Sequence, residues 1–132
     1  MARTEVLPVD RRRLRKQFFQ LPWELYEGDP NWIPPIRIVQ KELLGFRSHP
    51  FYQDAKIQNF LAVRDGRPTG RIAAIVNHAH NRWYDEKRGF FGFFECVEDE
   101  ETAGRLFDAA RQWFGEQGIE AIRGPVNPSL NY

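Results

Sequence analysis

The segment from Gly89 to Phe114, GFFGFFECVEDEETAGRLFDAARQWF, constrains the fold more than any other part of the chain. Gly89 to Cys96 reads as a buried strand, and the acidic turn after it leads into an amphipathic helix. Ala103, Leu106, Phe107, Ala110, Trp113 and Phe114 recur at three- and four-residue spacing and form one apolar stripe. Asp99 is placed to N-cap that helix, Glu100 and Glu101 sit where the helix dipole favours anions, and Gly118 lies just past its end. A second strand, Ile119 to Ile122, follows, so the unit is a crossover whose two strands are expected to be parallel.

The elements before this unit follow from periodicity and turn residues. Glu5 to Val9 reads as a short edge strand, because Pro8 cannot donate to a central ladder. Asp10 is expected to cap a helix over RRRLRKQFFQ with Leu14, Phe18 and Leu21 inward, and Pro22 to end it or restart it as a turn at WELY. Gly28 to Pro35 is a rigid loop, Ile36 to Leu44 a second helix closed by Gly45, and His49 to Tyr52 a turn-rich connector. From Ile57 the apolar period becomes two, Asp65-Gly66 marks a hairpin, and Gly70 to Val76 is the return strand. The stretch NHAHNRWYDEKR reads as a polar loop leading to GFFGFFEC, whose glycines suggest a bulge or close backbone approach.

Length and composition bound what this order can be. With 132 residues, 42% hydrophobic and 28% charged, the chain suits one soluble domain. Met1 to Lys16 holds no apolar run, and nothing approaches the roughly 20 residues that cross a bilayer, so neither signal peptide nor span is expected. One cysteine, Cys96, excludes an internal disulfide and fits a reducing cytoplasm. A net charge of +1 gives no general pull toward nucleic acid.

The words LPWELYEGDPNWIPP, HPFYQDAKIQNFLAVRDGRPTGRIAAIVN, GFFGFFE and IRGPVNPSLN, in this order, resemble a family of bacterial GNAT-like N-acyltransferases. The resemblance covers nearly the whole chain. It implies an α+β fold with a mixed, mostly antiparallel sheet and flanking helices. It also implies that residues 1–132 are an N-terminal GNAT-like domain of a longer two-unit protein, incomplete at its C-terminal end. Such a domain is expected to expose apolar sheet edge and to self-associate.

The resemblance also assigns chemistry. GNAT enzymes take an acyl group from acyl-CoA to an amine. In this chain it implies that Phe93, Phe94, Cys96 and Val97 line the acyl arm and that Glu95 is the base for a small-molecule amine. The usual phosphate loop, Gln/Arg-x-x-Gly-x-Gly/Ala, is replaced here by CVEDEETAG, where Gly104 already lies inside the helix. Four crowded carboxylates oppose the CoA pyrophosphate in the usual pose, since repulsion between unit charges at 4 Å, about 1 kcal/mol in water and about 4 at an effective dielectric of 20, matches or exceeds the roughly 0.3–1 kcal/mol a helix end offers. The alternative is a non-catalytic module that supports a C-terminal catalytic unit. A strand-end glutamate can also simply face solvent, and Cys96, with acidic neighbours, reads as an inert buried thiol. His49, His78 and His80 lack a regularly spaced third ligand, so no metal is expected. The run RRRLRK, broken by a leucine, reads as a solvated helix face.

Overall fold

A computed structural model describes residues 4–31, 37, 41, 44 and 55–125. Five strands form one sheet in sequential order: β1 (Thr4–Pro8), β2 (Ala55–Arg64), β3 (Arg67–Asn77), β4 (Arg88–Cys96) and β5 (Ala121–Arg123). Neighbours from β1 to β4 are antiparallel, and β5 pairs parallel to β4. The helices among the described residues are α1 (Arg12–Leu25), α2 (His78–Tyr84) and α3 (Glu100–Glu116). This is the α+β arrangement expected from the sequence, including the parallel crossover through α3. Asp65 and Gly66 both take positive φ, at 53° and 74°, the geometry that matches the twist of a two-residue hairpin.

Period-two alternation gives the sheet two apolar faces, and among the described residues one helix packs on each. Phe60, Ala62, Ile72, Ala74 and Val76 pack against Leu106, Ala110, Trp113 and Phe114 of α3. Leu61, Ala73, Ile75 and Phe93 pack against Leu14, Phe18 and Phe19 of α1, together with Leu44. β3 is thus covered on both sides, as its unbroken apolar run requires.

Three local expectations are corrected. Asp10 does not cap α1: the extended backbone continues through Val9, whose N–H donates to Asn59 O at 2.9 Å, so the N-cap falls on Arg11 with no side-chain cap. Pro22 does not end α1, which runs on to Leu25. Without an N–H, Pro22 cannot take the carbonyl of Phe18, and Arg71 Nη1 donates to that oxygen instead at 2.9 Å. The polar loop after Asn77 is partly helical: the Asn77 side chain accepts from His80 N at 3.0 Å, and Asp85 closes α2 in the left-handed region. α2 buries no side chain, so it has no apolar stripe to read. The second helix expected over Ile36 to Leu44 lies outside the described residues, apart from Arg37, Lys41 and Leu44, and so do the connector at His49 to Tyr52 and residues 126–132.

Candidate active site

A bulge in β4 decides which side of the sheet its functional side chains reach. Ala73 pairs with Gly92 and Arg71 with Glu95, so β4 spends one residue more than β3 over this interval. Phe93 sits there with φ 52°, a left-handed conformation costly for a bulky residue. Gly89 and Phe91 face α3, and regular alternation would send Phe93 and Glu95 the same way. The extra residue reverses this. Phe93 enters the α1-side core, Phe94 stacks on Phe107 of α3 with ring centroids 5.0 Å apart, and Glu95 faces α1.

On that face Glu95 accepts a hydrogen bond from the Tyr26 hydroxyl, just beyond the end of α1. Directly across the ladder lies Arg71, 3% exposed, its guanidinium over the Phe18 ring at 5.0 Å and its Nε without a hydrogen-bond partner. Burial lowers the Arg71 pKa to about 10, against the opposing pull of Glu95 and Tyr26. The hydrogen bond to Glu95, with some burial, raises the Tyr26 phenol to about 12. The half-buried Glu95 is therefore held by a phenol and faced by a buried cation, and is not a freely solvated strand-end carboxylate. Sequence reasoning missed both partners. Arg71, a cation heading the apolar run RIAAIV, was the available signal, whereas nothing local marks Tyr26.

The other nominated residues separate. The Phe93 side chain is 5% exposed, so what it can offer a ligand is backbone. Cys96 is half-buried, and burial, with Asp99 nearby, pushes its thiol up and disfavours thiolate. Val97 N–H donates to Thr69 O at 2.9 Å. Pairing between β4 and β5 extends only from Arg88 to Phe90, so among the described residues β5 does not cover the edge of β4 beside the bulge.

At the N-terminus of α3, Asp99 accepts from Glu101 N at 3.3 Å and Thr102 Oγ1 at 2.6 Å, and Arg64 lies 3.6 Å away. The Thr102 hydroxyl foremost, then the backbone amides and Arg64, hold the Asp99 carboxyl below the usual carboxylate range. Glu100 and Glu101 fill the first turn. This end of α3 is capped by its own acids.

His80 pairs with Glu86 at 3.0 Å and packs edge-on against Phe90, while His78 is exposed; His49 lies outside the described residues. Among the described residues no group of three His, Cys, Asp or Glu side chains is placed to hold a metal, and no helix is long and apolar enough to cross a membrane.

No protein-family model matches the chain. Two bacterial proteins are similar in sequence. Bacterial ceramide synthase of Caulobacter vibrioides is 35% identical over 127 residues, 96% of this chain and 33% of that protein. Protein YghO of Escherichia coli is 34% identical over 116 residues, 88% of this chain and 30% of that protein. The chain thus spans about a third of the length of these relatives. Among solved structures, the aminoglycoside N-acetyltransferase AAC(6')-Iy in complex with CoA superposes with a TM-score of 0.66 over 97% of this chain and 80% of that one, at 16% identity. The fold is that of the GNAT acetyltransferases.

Proposed function

We propose, from the premise that this chain is a GNAT-like family member, that it carries the acid–base half of an N-acyltransferase working on acyl-CoA and an amine. The observation that carries this reading is the β4 bulge, which sets Glu95 on the α1 face against Tyr26 and Arg71, beside strand edge that β5 leaves uncovered. In the proposed reaction the amine nitrogen attacks the thioester carbonyl, the C–N bond forms, the C–S bond breaks and CoA leaves as thiolate. Glu95 takes the amine proton, and Tyr26 fixes the carboxylate's orientation. The backbone of Phe93 to Val97 is suited to pairing with the amide-bearing arm of the acyl-CoA. The CoA pyrophosphate lies elsewhere than at the N-terminus of α3, where Asp99 accepts from the Glu101 amide and Glu100 and Glu101 fill the first turn. The thiolate's proton comes from a further GNAT-like unit of a longer cytoplasmic protein. The name of the Caulobacter relative suggests a long-chain acyl group and a long-chain amino alcohol as the first substrates to try.

The acids at α3 favour a second reading, a non-catalytic module that supports a catalytic unit elsewhere in the protein. One experiment separates the two. In the intact protein, Glu95→Gln is expected to lower kcat by roughly 10²–10⁴ with acyl-CoA binding intact, the usual range for loss of a general base. Calorimetry with acetyl-CoA and a long-chain acyl-CoA supplies the binding arm. Full turnover by Glu95→Gln, or no acyl-CoA binding by a protein lacking only the other unit, favours the supporting module.

A further inference from the structure

The basic run at the start of α1 is an exposed helix face, as expected, and it also borders a cleft. Arg12, Arg15 and Lys16 line one side of an open cleft of about 680 Å³, and Arg37 and Lys41 line the other. Phe19 forms part of its floor, and no carboxylate lines it among the described residues. Two of the cations are held by aromatic rings: Arg37 lies 4.5 Å over Trp23, and Lys41 Nζ lies 5.4 Å from the centre of Phe19. These five exposed cations give the cleft a positive field open to solvent. Such a field attracts an external anion.

We propose that this cleft docks the protein on an anionic lipid surface by gripping headgroup phosphates. The choice of a surface over a soluble phosphate rests on α2. Trp83 and Tyr84 are 83% and 60% exposed, beside Arg82, the pairing of amphipathic ring and cation that suits a headgroup region. β1 leads into α1 while running along β2 toward Ala55, and Asn77, which α2 follows, pairs with Ala55, the first residue of β2. The hairpin turn lies at the opposite end, and Glu95 lies between the two, across from Arg71, which pairs with Leu61. Docking is independent of whether Glu95 performs acyl transfer.

The test is co-sedimentation of the intact protein with vesicles of phosphatidylcholine alone or with 30% phosphatidylglycerol (a composition on the order of an anionic bacterial surface). Binding is expected only to the anionic vesicles, with release at high salt. Arg12→Gln with Lys16→Gln is expected to weaken it by roughly 25-fold, about fivefold per cation, and Trp83→Ala to weaken it further. Arg105→Gln with Arg111→Gln on α3 is the control that leaves binding unchanged. Equal binding to neutral vesicles, an unaffected Arg12/Lys16 variant, displacement by millimolar inorganic phosphate, or tighter capture by an oligonucleotide would each overturn the proposal. Circular dichroism of each variant separates loss of binding from loss of fold.

Discussion

Arg71 links two features that sequence places far apart, the proline inside α1 and the acid on β4. Replacing it with methionine removes the donor to Phe18 O, at a cost of about 1–3 kcal/mol. Restoring an amide with Pro22→Ala gives that carbonyl an intrahelical partner. The Arg71→Met penalty is therefore expected to shrink in a Pro22→Ala background, and urea unfolding of the four proteins in the cycle measures the coupling. Tyr26 makes a prediction in pH. Its phenol is raised from 10.0 to about 12, so its contribution to stability is complete below pH 10 and is lost as pH rises toward 12. Arg71 acts in the opposite sense: its pKa falls from 12.5 to about 10, so the cost of burying it disappears across the same interval. Burial, the largest cause of that shift, is common to wild type and Tyr26→Phe. The gap between their melting temperatures should therefore stay constant up to pH 10 and close toward pH 12.

At the scale of elements, α3 approaches β4 closely at Gly89. A Cβ at Gly89 would come within 2.3 Å of the Phe114 ring, which lies directly on the strand backbone. Gly89→Ala is expected to cost about 1–3 kcal/mol by overpacking, and Phe114→Leu to recover some of it, both read from denaturant midpoints. The N-terminal cap makes a pH-dependent prediction. Because the Asp99 carboxyl sits below its ordinary range, its contribution is present above that range and lost as pH falls through the lowered value. Asp99→Ala is accordingly expected to lower Tm at neutral pH and to match wild type in acid. α3 was legible because its buried positions recur every three or four residues. α2 was not, because it is held by the Asn77 and Asn81 side chains and buries nothing.

For the whole molecule, one sheet with a helix on each face was legible from where the period switches between 3.6 and 2. The strand after α3 was legible too, although it starts at Ala121 rather than at Ile119. The candidate site was legible only in its acid. Tyr26 and Arg71 meet Glu95 through register, and register depends on a bulge that glycine spacing suggests without locating. The basic run was legible as charge. That it faces a second pair of cations across a cleft is a tertiary fact.

The reversal at Phe93 makes the acid's position a matter of parity. Deleting Phe93 would bring Phe94 opposite Ile72 and leave Glu95 opposite Arg71, so both side chains would keep their layers while the backbone between them straightened. Such a variant would forfeit a buried aromatic, about 3–5 kcal/mol, yet it would change the strand's shape while keeping its carboxylate, the converse of Glu95→Gln. Amine recognition that outlives thioester affinity would credit the shape, and not the carboxylate, with holding the donor.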